Sequence, residues 1–260
     1  MGEILLTFDV EEFDLPLEYG VNILNAKQME IGKSGLDVLN EILEDNDMSL
    51  TLFTTANFAL RYPKEIATLS AKHEIASHTF FHSSFKKDDL KNSLQVLEDI
   101  TSKKVFGLRM PRMKKISSGW VTEAGYKYDS SVNPTWIPGR YNNLSKPRTV
   151  FIESGLPKIP VSVSPNFRVP LFWLAFKNLP YTYFRKIALQ TLKKDGYLSL
   201  YFHPWEFTDL SSYNLPTIVK RQFGIELLTK LKRLIVDLKN EGNFITMNSF
   251  LERRRINNYK

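Results

Sequence analysis

The chain has 260 residues, 35 Lys and Arg against 28 Asp and Glu for a formal charge of +7, and no cysteine. With 43% apolar and 13% aromatic residues it can build a core, which excludes a wholly disordered chain. Without cysteine it holds no disulfide, no thiolate metal site and no thiol nucleophile, and its positive charge favours anionic partners without naming one.

The first predicted element is a strand, Ile4–Val10. Its apolar run Ile4-Leu5-Leu6-Thr7-Phe8 ends at Asp9, too short for the roughly 7–15-residue apolar region of a secretory signal. No stretch has the roughly 18 continuous apolar residues of a spanning helix. The best candidate, Val169 to Leu179, is broken by Pro170 and Lys177. These readings predict a cytoplasmic chain. If the strand continues past Asp9, period two puts Asp9 and Glu11 on one face and Glu12 on the other. One carboxylate could then bind a metal while the other acts as a base. A solvated acidic turn is the alternative.

Six further strands are predicted at Ser49–Thr54, Glu74–Ser77, Val105–Leu108, Lys127–Val132, Tyr197–Phe202 and Asn243–Thr246, most of them short and apolar, as strands buried on both faces are. Helical stripes lie between them: Leu36, Leu39, Ile42 and Leu43; Leu90, Leu94, Leu97 and Ile100; and Ile225, Leu228, Leu231 and Leu234, widened by Ile235 and Leu238. This alternation predicts a single α/β domain over 1–260 with a parallel sheet, open or closed into a barrel. Thr135–Leu192, with seven prolines and many aromatics, reads as an irregular insertion in that domain.

Ionisable residues recur at the strand ends, where parallel α/β folds place function. His78 and His82 follow the third strand, and four residues apart they share one face if the segment is helical, so both can reach one metal ion. Arg109 follows the fourth strand and can pair with the free carboxylate. Asp129 lies in the fifth. His203 follows the sixth and suits a general acid, since imidazole titrates near neutrality. Each taken alone also reads as an ordinary charged strand end or a satisfied core histidine.

Thr7-Phe8-Asp9, His73 through His82, Arg109-Met110-Pro111 and Leu198 through His203 resemble, in order and separation, the motifs of the polysaccharide deacetylases, the NodB-homology group or carbohydrate esterase family four. The resemblance implies a distorted (β/α)7, TIM-like barrel and a divalent metal, usually zinc, held by one carboxylate and two histidines. It implies His78 and His82 as ligands, Asp9 as base, Arg109 as the residue orienting it, and His203 as acid, and it leaves His73 structural. Two positions depart from the pattern. Val10 stands where many members carry the ligand Asp, which moves that role to Glu11, with Glu12 as the alternative. Arg112 stands where an aromatic usually follows the proline, and its backbone N–H can still help hold an oxyanion. Asp129 is read as structural.

The implied activity is hydrolysis of an N-acetyl group on an amino sugar, in a polysaccharide or a lipid-linked glycan precursor, as a step of cell-surface glycan biosynthesis at the inner face of the membrane. An O-deacetylase, or a catalytically impaired sugar-binding protein on the same fold, is the rival reading. Phe172, Trp173, Phe176, Tyr181, Tyr183 and Phe184, interleaved with Lys177, Arg185 and Lys186, suit either a peripheral membrane surface or a core helix pair with basic outer faces. Trp136 and Trp205 could stack on sugars. No nucleic-acid motif is present, and Arg253-Arg254-Arg255 is only a short basic patch, so no nucleic-acid partner is expected.

Overall fold

The computed structural model describes residues 2–258. Eleven strands form among them: β1 (Gly2–Val10), β2 (Thr51–Thr54), β3 (Glu74–Ser77), β4 (Gly107–Leu108), β5 (Tyr128–Asp129), β6 (Trp136–Ile137), β7 (Tyr141–Asn142), β8 (Phe151–Glu153), β9 (Leu156–Lys158), β10 (Tyr197–Phe202) and β11 (Gly242–Phe244). β1, β2 and β10 are buried on both faces over nearly their whole length, as continuous apolar runs demand.

The main sheet runs β10-β1-β2-β3-β4-β5-β9-β8 and is parallel except for the β8–β9 hairpin. Beyond β9, Ser162 donates its N–H to Ser199 O of β10 (2.9 Å), and its Oγ accepts the Ser199 N–H (2.9 Å). The sheet therefore curls round until its two sides meet, as a distorted α/β barrel. Its seventh ring strand is β9, from within the stretch expected to be an insertion. The strand expected at Asn243–Thr246 is β11, which pairs with the start of β1, at Gly2–Ile4, and bridges from Phe244 to Met48. The remainder of that stretch supplies the β6–β7 hairpin and two helices, Trp173–Asn178 and Tyr181–Asp195.

The helices pack outside the sheet through the predicted stripes, with two differences. The stripe from Leu36 to Leu43 spans two helices, Asn25–Val38 and Asn40–Glu44, broken at Leu39, though all four residues stay buried. In the helix Gly224–Lys239, Ile225 is 75% exposed and Leu227 takes its place in the core. The helix Asn25–Val38 approaches the rim very closely. A Cβ on Gly32 would run into the carbonyl of Glu11, and one on Gly35 into the carbonyl of Pro204. Among the described residues no helix is long and apolar enough to cross a membrane. Arg253 lies 3.6 Å from Glu3, and Arg254 stacks on Tyr197 and Phe250. Both engage their own chain, and the side chain of Arg255 lies outside the described residues.

Candidate active site

Asp9, near the end of β1, is buried, and its Oδ1 accepts from Arg109 Nη1 at 2.6 Å. Arg109 is fully buried, a costly position for a charge that cannot be shed. Its hydrogen bonds offset that cost: Nη1 also reaches Thr7 Oγ1 (2.8 Å), Nη2 reaches Ser130 Oγ (3.0 Å) and Nε reaches the Ser130 carbonyl (3.3 Å). The guanidinium lies 4.0 Å from the centroid of the Phe53 ring. A planar donor fork tied at four points holds Asp9 in one orientation.

Two residues on, Glu11 faces the same side. Its Oε2 lies 3.0 Å from His78 Nε2 and 3.1 Å from His82 Nε2, with all three residues buried. The three ligand atoms all lie within 4.8 Å of one another. Glu12 faces away and is spent elsewhere, accepting from Thr55 Oγ1 (2.7 Å) and Asn57 Nδ2 (2.5 Å). It is therefore Glu11 that the backbone brings to the histidines.

The histidines do not converge through a helix, as their spacing suggested. Residues 78–82 form an irregular loop, and Thr79 adopts φ 65°, rare for a β-branched residue. Thr79 N–H donates to Ser77 Oγ (3.1 Å), while the carbonyls of Thr79 and Phe80 accept from Ala56 N–H (3.0 Å) and Asn57 N–H (2.9 Å). These bonds hold the strained turn and leave the two imidazoles stacked, with centroids 5.6 Å apart.

A metal fits this cluster. Glu11 Oε2 is buried and has no hydrogen-bond partner, although two imidazole nitrogens stand beside it, which is the arrangement of ligands facing a common ion and not each other. His82 Nδ1 meets Asp14 Oδ1 at 2.6 Å, the outer carboxylate that orients a ligand histidine. His78 Nδ1 has no such partner. Without an ion, burial opposes the charge on His82, but Glu11 and the hydrogen bond to Asp14 outweigh it and push its pKa up to about 9. Burial likewise works to raise Glu11, yet the charges of His82 and His203 hold its carboxyl far below the usual carboxylate range.

His203, just past β10, places Nε2 4.0 Å from both Asp9 Oδ2 and Glu11 Oε1. Glu206 accepts from both its Nδ1 (3.0 Å) and its backbone N–H (2.8 Å), so the Nε2 edge faces the pocket. Burial opposes the imidazolium, and Glu11 with Glu206 more than compensates, so its pKa is raised. Behind Glu206 stands Lys177 Nζ at 3.3 Å, both residues fully buried. Burial outweighs this attraction and lowers the pKa of Lys177. Lys177→Met would leave buried Glu206 with His203 as its remaining cationic neighbour, and the expected result is a loss of about 3 kcal/mol of stability, read as a lower denaturant midpoint at unchanged m.

The remaining expected residues lie near the site or apart from it. Asp129 pairs with Lys158 (2.6 Å) and takes the backbone N–H (2.8 Å) and the hydroxyl of Ser131. Ser131 Oγ in turn accepts Met110 N–H (2.8 Å), so Asp129 braces the loop after β4. His73 bridges the Leu50 N–H and the Leu43 carbonyl away from the rim, and burial lowers its pKa to about 4. Trp205 is buried with Nε1 on Glu11 Oε1 (3.1 Å), which removes it as a sugar platform, whereas Trp136 is exposed. Phe172, Phe176, Phe184 and Lys177 are buried, Trp173, Tyr181 and Arg185 are half-buried, and only Tyr183 and Lys186 of that set are exposed, which favours the core helix pair over a membrane surface. Glu206, Lys177 and Asp14 were not foreseen. Only Glu206, three residues after His203, left a local clue.

Gly32→Ala pushes directly on the Glu11 carbonyl. It is expected to destabilise the fold by about 1–3 kcal/mol and to weaken metal binding, which thermal unfolding with and without added zinc would resolve.

An α/β barrel that gathers a buried carboxylate, two histidines and an arginine-held aspartate at one rim has the layout of a hydrolase. Residues 2–117 match the family model described as polysaccharide deacetylase. Through that segment, somewhat under half of its length, the chain is similar to the polysaccharide deacetylase family. Among solved structures it is similar to a protein from Mycobacterium smegmatis described as a "putative polysaccharide deacetylase", with TM-score 0.63 and 16% identity over 98% of this chain and 91% of the other. It is similar to one described as a probable polysaccharide deacetylase from Pseudomonas aeruginosa PAO1, with TM-score 0.66 and 13% identity over 95% and 88%. The PuuE allantoinase is also similar, with TM-score 0.63 and 16% identity over 95% and 88%. At these identities the likeness is one of fold. Among curated proteins none matches the chain.

Proposed function

We propose that this chain, with 1–260 acting as one catalytic domain, is a metal-dependent deacetylase. Its substrate is an N-acetylated amino sugar in a polysaccharide or a lipid-linked glycan precursor. The observation that carries the reading is the division of labour between two carboxylates two residues apart: Glu11 faces His78 and His82, while Asp9 is held by Arg109.

One carboxylate oxygen and two imidazole nitrogens suit a divalent ion, zinc first among them. Bound by Glu11, His78 and His82, such an ion supplies Lewis acidity for the acetyl carbonyl and lowers the pKa of a water. Asp9 offers Oδ2, the oxygen not bonded to Arg109, to take the water's proton. The backbone N–H of Arg112 contributes to holding the oxyanion. His203, its Nδ1 engaged by Glu206, delivers a proton from Nε2 to the leaving nitrogen. Acetate and a free amino sugar result. The chamber over these groups is small, about 140 Å³, with Trp173, Leu174 and Val219 in its wall, suited to a methyl.

A place in glycan biosynthesis at the cytoplasmic membrane face agrees with this reading. Any lipid contact would rest on Tyr183 and Lys186, which remain exposed. The test is the joint release of acetate and primary amine from N-acetylated oligosaccharides by zinc-loaded protein, expected in equal amounts. Acetate without amine would assign an ester substrate. Neither product would leave a sugar-binding protein on this fold.

A further inference from the structure

Beside the small chamber lies a cavity of about 1010 Å³. The two adjoin, with Glu18, His82, Arg112, Met113, Arg140 and Tyr141 among the residues lining both. The larger space has the size of a whole ligand site, enough for sugars flanking the one that reacts.

Its charge is unbalanced. Six cationic side chains line it against three carboxylates, and each carboxylate is already engaged. Glu18 is shared between Arg112 and Arg140 at the neck. Asp129 is held by Lys158 (2.6 Å) and Glu153 by Lys146 (2.7 Å). Lys114 and Lys115, on the segment that follows Arg112, are exposed, and among the described residues no carboxylate lies within pairing distance of either. A ligand entering here meets two uncompensated ammonium groups and no free acid. Ser83, Ser84, Asn142 and Asn143 supply neutral polar groups for hydroxyls.

We infer that the groove takes a negatively charged sugar unit next to the acetylated one, its oxyanion, a carboxylate or a phosphate, resting against Lys114 and Lys115. These lysines are then specificity-determining residues. The inference rests on the deacetylase reading for the orientation of the substrate, and on the groove alone for its charge.

Binding and acetate release are measured on zinc-loaded protein with three probes. They are an alternating N-acetylglucosamine–glucuronate tetrasaccharide, UDP-N-acetylglucosamine, and neutral tetra-N-acetylchitotetraose. At least one anionic probe is expected to bind about tenfold more tightly than the neutral one in low salt, with the margin shrinking as salt rises. The first probe reports a uronate source and the second a phosphate source. The double variant Lys114→Gln/Lys115→Gln should cut the anionic-to-neutral ratio about three- to tenfold. Anionic probes no better than the neutral one, or a ratio unmoved in the variant, overturns the inference. Anionic preference in binding with no acetate from any probe supports the groove and counts against the deacetylase reading.

Discussion

Asp9→Asn is expected to lower kcat by about 10²–10⁴-fold, the usual worth of a positioned general base, while the metal stays bound. The substitution keeps size and leaves Oδ1 as an acceptor for Arg109, but removes the charge and the ability to take a proton at Oδ2. Some stability is lost with it. Breaking a buried ion pair outright costs about 3–5 kcal/mol. Asn should cost less than that, because the guanidinium keeps its bonds to Thr7 and Ser130. The check is acetate release beside metal content and circular dichroism on the same sample. Near wild-type turnover would remove Asp9 from the role of base. A folded, metal-loaded and inactive variant is the expected outcome.

The second large effect falls on the metal. His78→Ala and His82→Ala each remove one of the three proposed ligands, and Glu11→Gln removes the charge of the third. Loss of an outer partner typically costs 10–100-fold in affinity, the expectation for Asp14→Asn, and loss of a ligand should exceed about 100-fold. The pH dependence follows from His82. A ligating imidazole must be neutral, yet in the metal-free chain His82 holds its proton up to about 9. Metal binding therefore releases protons, and apparent affinity should fall as pH drops below that value. Calorimetry in buffers of differing ionisation enthalpy measures the proton count. Full metal retention in both histidine variants would refute the ligand assignment.

Much of this site was legible because it rests on local periodicity. The period of two along β1 puts Asp9 and Glu11 on one side and Glu12 on the other, and strand ends bearing His78, Arg109 and His203 converge because parallel strands share one rim. Partnerships set by tertiary packing were not legible. Lys177 sits in an aromatic helix that read either as a lipid-facing surface or as part of a core pair with its basic residues outward, and only the folded chain brings it to Glu206. The strand β9 has three residues with Pro157 at its centre, a composition that argues against a strand. The histidine pair meets through a turn held by the backbone of residues 56 and 57, which spacing cannot distinguish from a helix. Ile225 matched the period but fell in the first helical turn, where little packs over it.

The proposed activity is metal-dependent removal of acetyl groups from a glycan. It is met most directly by stripping the protein with chelator, returning zinc in measured steps, and following acetate release from a panel of N-acetylated oligosaccharides. The stripped protein is expected to release no acetate and to recover fully at one equivalent of zinc per chain. Equal release with and without zinc, or none across the panel from a chain that binds its zinc, would contradict it.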